Sequence, residues 1–168
     1  ILRQMGAKIS LTNEIEVGGE PVADIRVQYA KLVGIEIPES QVPLAIDEFP
    51  AIFIAAACAQ GETILTGAKE LRVKESDRIQ SMADGLNTLG IDAMATADGI
   101  RIVGGEIGSG RVLSHHDHRI AMAFAIAGLR AQGEIIVEDC SNVATSFPDF
   151  IVCAASVGLV INTETVND

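Results

Sequence analysis

The tetrapeptide AQGE occupies residues 59–62 and occurs again at residues 131–134, an offset of 72 residues. Both copies follow an apolar run and precede a short run of β-branched and apolar residues, the pattern of a helix that turns at a glycine into a strand. The same offset places Asp77 on Asp149 and Ile79 on Ile151. The sequence therefore predicts an α/β protein with two tandem units of helix, strand, helix and strand.

Part of a third copy precedes these two units. Gly6, Gly90 and Gly158 each follow an apolar residue and precede a predicted strand, the usual position of glycine just after a helix. Residues 1–5 then correspond to the last turn of a helix without its beginning. We expect residues 1–45 to end one unit, residues 46–108 and 109–168 to form about the next two, and the chain to be part of a longer protein.

The local pattern predicts the individual elements. Helical spacing of apolar residues predicts helices over residues 50–59, 76–89, 117–130 and 148–157, the first of them apolar on all sides and hence buried. Short β-branched runs predict strands over residues 8–11, 23–28, 63–65, 91–95, 100–103, 135–138 and 159–162. A hairpin turn is expected at Asp98-Gly99, and Pro21 and Pro38 are expected in loops.

The composition argues against several classes of protein. Of the 168 residues 48% are hydrophobic, which excludes intrinsic disorder, and a net charge of -11 opposes nucleic-acid binding over most of the surface. The longest uncharged apolar run, residues 49–60, is too short to span a membrane. Three cysteines without a C-x-x-C pair indicate neither a disulfide framework nor a zinc site, and we expect a reducing, cytoplasmic location.

Polar motifs fall at the starts of the four predicted helices, at residues 47–50, 74–78, 116–119 and 146–149. Helix N-termini carry unpaired N–H groups and a partial positive charge, so several on one face form an anion-binding surface even on an acidic protein. The alternative is ordinary capping, which explains Ser76, Asp77, Asp117, Pro50 and Pro148 equally well.

Capping does not explain the cations Lys74, Arg78 and Arg119, because positive charge in a first helical turn opposes the helix dipole. A bound phosphate or carboxylate would remove that penalty, and arginine grips either group with two hydrogen bonds. The alternative for the first two is a solvated charge run neutralised by Glu75 and Asp77. The sequence alone leaves an anion site and a salt-bridge cluster both open.

The remaining polar residues do not indicate one particular function. His115, His116 and His118 form a histidine cluster, but no second set of ligands has a familiar spacing, so no metal site is predicted. Three roles stay open for His118: it could contact an anion, transfer a proton or be purely structural. Two roles stay open for Asp47 and Glu48: they could cap a helix or act as carboxylates in acid–base chemistry.

Two stretches then point to a family. LRVKESDRI at residues 71–79 and DHRIAMA at residues 117–123 closely resemble the two signatures of the 5-enolpyruvylshikimate-3-phosphate synthase family, and ADIRV at 23–27, IDEFP at 46–50 and SFP at 146–148 extend the resemblance. It implies a fold of two lobes, each made of three βαβαββ units in an inside-out α/β barrel. This chain would be part of the C-terminal lobe, with its helix N-termini facing the cleft between the lobes.

The resemblance also implies a reaction. The family, the 3-phosphoshikimate 1-carboxyvinyltransferases, transfers the enolpyruvyl group of phosphoenolpyruvate to the 5-hydroxyl of shikimate 3-phosphate and releases phosphate, without a metal or redox cofactor. Asp47 and Glu75 would then handle protons on the hydroxyl and on the enol methylene. The N-terminal lobe that would complete the site is the expected partner, so this chain alone is expected to be inactive.

The substrate contacts follow from the same resemblance. Lys74 would hold the shikimate substrate, Arg78 and Arg119 would clamp phosphoenolpyruvate, and His118 would lie beside that clamp. The family commonly has a lysine where this chain has Thr145, so one contact is not carried over.

Two rival interpretations stay open. One is UDP-N-acetylglucosamine enolpyruvyl transferase, which has the same fold, and the KESDR spelling of residues 74–78 speaks against it. The other is a noncatalytic anion-binding or scaffold domain. A pure binder has no use for the carboxylates Asp47 and Glu75 beside Arg78 and Arg119, which disfavours that interpretation.

Overall fold

The computed structural model describes residues 1–164. Its strands are β1 (Lys8–Val17), β2 (Glu20–Gln28), β3 (Glu62–Leu65), β4 (Asp92–Ala95), β5 (Ile100–Val103), β6 (Gly110–Leu113) and β7 (Ile135–Glu138). Its helices are α1 (Val42–Ala45), α2 (Phe49–Ala57), α3 (Arg78–Thr88), α4 (His118–Ala127), α5 (Val143–Ser146) and α6 (Phe150–Ser156). Short 3-10 helices cover Glu39–Gln41, Ile46–Glu48 and Lys69–Val73. The predicted α/β class is confirmed.

Within the described residues the strands form three small sheets. β1 and β2 pair antiparallel, β3, β5 and β4 form an antiparallel sheet in that order, and β6 pairs parallel with β7. The segment around Val33 and Glu36 runs parallel beside β3 through bridges to Gln60 and Ile64. That segment, α2, β3, α3, β4 and β5 follow one another in the order βαβαββ. The unit limits given above stay a prediction.

The core is built on α2 and α4, which pack against each other. Phe49 and Phe53 of α2 stack with ring centroids 5.7 Å apart, and both are inaccessible to solvent, as is Phe124 of α4. The predicted burial of α2 is confirmed, except that Ala51 is exposed. α3 crosses α4 at Gly85, where a Cβ atom would lie 2.2 Å from Cζ of Phe124, so only glycine permits this approach.

One stretch of the chain has the length and composition of a membrane-crossing helix. The successive helical turns over Glu39–Ala57 reach a mean hydropathy of 1.2. The second half of this run is α2, the central core helix, whose residues Phe49, Phe53, Ala56 and Ala57 are fully buried against the rest of the domain. Packing inside the domain therefore accounts for the apolar character of α2.

The predicted elements occur with shifted ends, and the largest shift is in the first hairpin. β1 and β2 extend well beyond residues 8–11 and 23–28, and Pro21 lies inside β2, opposite Glu16, rather than in a loop. A two-stranded sheet consists of edge strands, which tolerate a proline because its missing N–H need not pair. The Asp98-Gly99 turn between β4 and β5 is confirmed.

The predicted strand over residues 159–162 is wrong. Leu159 donates its backbone N–H to the carbonyl of Ala154 and so closes the end of α6, and residues 159–162 pair with no strand within residues 1–164. An apolar pattern alone cannot supply the neighbouring strand that an extended segment needs. Conversely, the sequence did not predict β6 or α5.

The hairpin of β1 and β2 exposes an apolar face. The facing pairs Ile9 with Val27 and Leu11 with Ile25 share this face, and Leu11, Ile25 and Val27 have between 40% and 68% of their surface exposed. The other face carries polar pairs up to the bulge that follows Thr12. Isolated two-stranded hairpins are marginally stable in water, and continuous apolar surface usually marks an interface.

The turn before this hairpin has the hydrogen bonds of a helix end, as expected. Gly6 has φ 95°, its N–H donates to the carbonyl of Arg3, and the N–H of Ala7 donates to the carbonyl of Leu2. The same pair of bonds closes α3 at Gly90, where φ is 84°. Both are glycine-terminated helix ends of the Schellman type.

Candidate functional site

The N-terminal ends of α2, α3 and α4 meet, and their charged side chains form one cluster. We call it the central cluster and define it by the side chains that are linked there by hydrogen bonds: Asp47, Glu48, Lys74, Glu75, Arg78, Asp117 and Arg119. Five of the six predicted site residues are therefore brought together. The sixth, His118, is half-buried at the first position of α4 and has no hydrogen bond from its ring within residues 1–164.

Arg78 is the hub of the central cluster. Its side chain is only 1% exposed, and its guanidinium group contacts three carboxylates. Nε donates to Oδ2 of Asp117 at 2.8 Å, Nη1 to Oδ1 of Asp47 at 3.0 Å, and Nη2 to Oε2 of Glu75 at 2.6 Å. A buried guanidinium requires such partners, because an uncompensated charge in the interior is very costly.

Asp117 joins two helices. Its Oδ1 accepts the backbone N–H groups of Arg119 at 2.9 Å and Ile120 at 3.4 Å, which caps α4 as predicted. Its Oδ2 accepts from Arg78 and from the Ser76 hydroxyl at 3.1 Å, and the side chain is fully buried. The sequence indicated the cap but not the ion pair, because a spatial neighbour 39 residues away leaves no local signal.

Lys74 does not lie on the helix of Arg78. It follows the 3-10 helix Lys69–Val73 in an extended conformation, and α3 begins only at Arg78. Its Nζ contacts Oδ1 of Asp47 at 3.4 Å and also bonds the carboxylate of Glu70. Lys74 therefore lies outside the first turn of α3, in contrast to the expectation from the sequence, and it shares with Arg78 a contact to Asp47.

Arg119 is fixed through one of its nitrogens. Nη1 donates to the backbone carbonyl of Asp47 at 2.8 Å and to Oε1 of Glu48 at 3.0 Å. Nε and Nη2 have no hydrogen bond within residues 1–164, and the side chain is 32% exposed. This free edge has the geometry that binds a carboxylate or phosphate through two hydrogen bonds.

The cluster controls the ionisation of its carboxylates. Burial alone would raise the pKa of Asp47, but hydrogen bonds and charges of Lys74 and Arg78, with the charge of Arg119, hold that pKa below 3.8. Burial likewise opposes ionisation of Asp117, and Arg78, the N–H of Arg119 and Ser76 lower its pKa below 3.8. The bond to Glu70 is the main reason why the pKa of Lys74 is raised. At neutral pH all three groups are charged.

The other capping expectations have mixed outcomes. Asp77 caps α3 by accepting the N–H of Gln80 at 3.0 Å, and Pro50 lies in the first turn of α2. Ser76 is not a cap, since its hydroxyl donates to Asp117. Pro148 precedes α6, which starts at Phe150 without a side-chain cap.

Arg72 is a structural residue that the sequence did not single out. Nη1 donates to Oδ2 of Asp77 at 2.6 Å, Nε donates to the carbonyl of Ala97 at 3.0 Å, and Nη2 bonds the carbonyl of Thr96. It thereby ties the cap of α3 to the β4–β5 turn. The position of Arg72 within the LRVKESDRI motif was the signal in the sequence that could have identified it.

The loop before α4 has an unusual backbone. His115 and His116 both have positive φ, at 52° and 56°, a region that residues other than glycine adopt uncommonly, although asparagine, aspartate and histidine do so more often than the rest. Neighbouring segments hold the loop, since Asn142 bonds the carbonyl of His116 and the Ser114 hydroxyl donates to the carbonyl of Asp139. Among residues 1–164 no group of three metal-ligating side chains is found.

Comparisons with known proteins agree on one family. The family model described as EPSP synthase (3-phosphoshikimate 1-carboxyvinyltransferase) matches residues 1–152. Proteins named 3-phosphoshikimate 1-carboxyvinyltransferase from Methylococcus capsulatus and Nitrosococcus oceani are each 66% identical over 96% of this chain. The chain spans 37% and 36% of those two relatives.

Solved structures share the fold. An EPSP synthase from Acinetobacter baumannii superposes with a TM-score of 0.95 at 56% identity, over 98% of this chain and 39% of that protein. The enolpyruvyl transferase NikO from Streptomyces tendae superposes with a TM-score of 0.62 at 19% identity, over 99% of this chain and 36% of that protein, a likeness of fold alone. The match to the family model and the identity to the named relatives agree with the shared fold. The chain therefore belongs to the EPSP synthase family.

Proposed function

We propose that this chain is the C-terminal part of an enzyme that transfers the enolpyruvyl group of phosphoenolpyruvate to the 5-hydroxyl of shikimate 3-phosphate and releases phosphate. One observation carries the proposal beyond family membership. Three cations converge on Asp47, since Arg78 and Lys74 contact its carboxylate and Arg119 its carbonyl. An ordinary solvated charge run has no reason to gather three cations from separate segments around one aspartate residue.

Arg119 and Arg78 are the proposed phosphoenolpyruvate ligands. The free Nε–Nη2 edge of Arg119 suits the substrate carboxylate or phosphate. Arg78 is saturated by carboxylates in this structure, but its partner Glu75 is 51% exposed and free to swing away. An incoming phosphate would replace Glu75 on Nη2, while buried Asp117 keeps the guanidinium in place.

Asp47 and Glu75 are the proposed proton carriers. Asp47 is ionised at neutral pH, and its lowered pKa keeps the carboxylate free to accept the proton that leaves the 5-hydroxyl. The hydroxyl oxygen then bonds to C2 of phosphoenolpyruvate while a proton adds to the methylene carbon, and Glu75, released from Arg78, is the proposed donor. The Glu75 carboxylate then takes a proton back from the new methyl group, the bond from C2 to the phosphate oxygen breaks, and the double bond is restored, while the proton held by Asp47 leaves with the phosphate.

Lys74 and His118 complete the proposed set. Lys74 is charged, since its pKa is raised, and it contacts Asp47 at 3.4 Å, so that it would hold the reacting hydroxyl beside the base. His118 directly precedes Arg119 at the start of α4, which supports a proposed place beside the phosphoenolpyruvate clamp. No step of this chemistry uses a metal or a redox cofactor. A cytoplasmic location accompanies the proposal.

The second lobe of the enzyme is the proposed partner of this chain. The chain covers only 36% to 39% of its relatives, and two apolar surfaces lack a cover within residues 1–164. One is the β1–β2 face described above. The other is a groove between α2 and α4, lined by Ala51, Ile54, Met122 and Ile126, that opens beside Arg119. Both surfaces are suited to the parts of the longer protein that this chain does not include.

Product analysis on the complete gene product tests the proposal against both rivals. With phosphoenolpyruvate and shikimate 3-phosphate we expect phosphate release matched by an equal amount of the enolpyruvyl ether, measured by mass spectrometry. Reaction with UDP-N-acetylglucosamine instead would favour the first rival. Binding of phosphoenolpyruvate without product from either acceptor would establish the noncatalytic alternative and refute the proposal.

A further inference from the structure

Glu48 occupies the N-cap position of α2 but does not cap that helix. No side-chain bond joins it to the N–H groups of α2, and 67% of its side chain is exposed. Aspartate at this position ordinarily accepts from the backbone of its own helix, whereas glutamate is not a preferred cap. Glu48 instead reaches across to α4 and accepts from Nη1 of Arg119 at 3.0 Å.

Two acceptors from adjacent residues orient this guanidinium group. The carbonyl of Asp47 and the carboxylate of Glu48 both receive hydrogen bonds from Nη1 of Arg119. The carbonyl belongs to the 3-10 turn Ile46–Glu48 and supplies one acceptor, and the Glu48 carboxylate supplies a second, so that together they limit the rotation of the planar group. The Nε–Nη2 edge is then left for a ligand, as described above.

We infer that Glu48 is a positioning residue for the reaction, which holds Arg119 so that its free edge receives the anionic group of phosphoenolpyruvate. This inference rests on the proposed function. Glu48 touches neither substrate nor reacting atoms in this role and acts only through Arg119. A guanidinium already held in its binding orientation loses less conformational entropy when the ligand arrives, which strengthens binding without changing the chemical step.

The charge of Glu48 has the opposite effect, because a carboxylate near the site repels an anion. The two effects are separable with two variants. Glu48→Ala removes both the acceptor and the charge, whereas Glu48→Gln removes the charge and retains an acceptor oxygen. Glu62→Ala is a matched control, because Glu62 pairs with Arg101 in the β3–β5 sheet, is 41% exposed, and lies outside the central cluster.

Steady-state kinetics of the complete gene product, with each substrate varied in turn, test the inference. We expect Glu48→Ala to raise KM for phosphoenolpyruvate about three- to tenfold, the cost of ordering one long side chain, with kcat and KM for shikimate 3-phosphate within about twofold of wild type. Glu48→Gln should show a smaller rise in that KM than Glu48→Ala, because its amide oxygen still accepts from Nη1, and Glu62→Ala should stay within about twofold of wild type in every parameter.

Each other result has a definite meaning. An unchanged KM for phosphoenolpyruvate in Glu48→Ala overturns the inference. A lowered KM shows that Glu48 competes with the substrate and overturns it too. An equal rise of this KM in Glu48→Ala and Glu48→Gln would show that the acceptor oxygen of residue 48 does not hold Arg119, and it would overturn the inference as well. A wild-type protein that binds phosphoenolpyruvate but forms no product refutes the proposed function, and this inference with it.

Discussion

Replacing Asp117 with asparagine removes one charge from the middle of the central cluster and keeps the shape of the side chain. Asp117 is fully buried and its partner Arg78 is 1% exposed. The asparagine oxygen can still accept from the N–H groups of Arg119 and Ile120, so the cap of α4 is retained. What is lost is the charged acceptor of Nε of Arg78.

The expected loss of stability follows from this burial. Removing one partner of a buried ion pair costs about 3–5 kcal/mol when the other charge is left alone. Arg78 keeps its contacts with Asp47 and Glu75, so we expect a smaller decrease in the free energy of unfolding, about 2–3 kcal/mol at pH 7. Urea unfolding followed by far-UV circular dichroism measures it.

Asp92→Asn is the matched control. It makes the same chemical change in an aspartate–arginine pair, with Arg101, but the Asp92 side chain is 64% exposed. Exposed pairs contribute about 1 kcal/mol or less. Equal and small effects of Asp117→Asn and Asp92→Asn would refute the view that Arg78 depends on a buried counter-ion.

The pH dependence adds an independent check. The pKa of Asp117 is lowered from 3.8 in the folded protein, so its stabilising effect is complete above that value and is lost as the pH falls toward the lowered pKa. The difference between wild type and Asp117→Asn should therefore be constant from about pH 5 to 8 and shrink below about pH 4. A difference that persists unchanged at low pH would contradict the lowered pKa.

Three further predictions concern packing, backbone and completeness. Gly85→Ala should lower the free energy of unfolding by about 1–3 kcal/mol in spite of better helix propensity, because its Cβ would strike Phe124, whereas Gly105→Ala meets only Ile91 at 3.5 Å and should be neutral; urea unfolding compares them. His115→Val should be about 1–2 kcal/mol less stable than His115→Gly by the same method, since φ is 52° there, and equal stabilities would disprove backbone strain. The 168-residue chain alone should release no phosphate from the two substrates above background, because positioning between two lobes is worth about 7–11 kcal/mol of barrier, and robust turnover would show that one lobe suffices.

The sequence was sufficient where local pattern and packing agree. The stripe of α3, with Ile79, Met82 and Leu86, is fully buried as its spacing predicts. The β4–β5 hairpin has its predicted turn because an Asp-Gly pair between two short strand segments leaves few alternatives. In both places the local preference and the tertiary contacts favour the same structure.

Contacts between distant segments explain what the sequence did not show. β6 was missed because its parallel partner β7 lies beyond the whole of α4, so nothing local marks it as a strand. The predicted strand at 159–162 failed for the converse reason. At the site, the motif identified which residues gather, but the burial of Arg78 among three carboxylates depends on the way α2, α3 and α4 converge.

The most direct test of the central claim, that this chain supplies the phosphoenolpyruvate site, is kcat/KM for phosphoenolpyruvate in the complete gene product with Arg119→Ala. Loss of two charge-assisted hydrogen bonds, each worth about 1.5–3 kcal/mol, predicts a decrease of roughly a hundredfold or more. Arg111→Ala, which removes a 60% exposed arginine outside the central cluster, should have no such effect. An Arg119→Ala enzyme that retains the wild-type kcat/KM would contradict the claim.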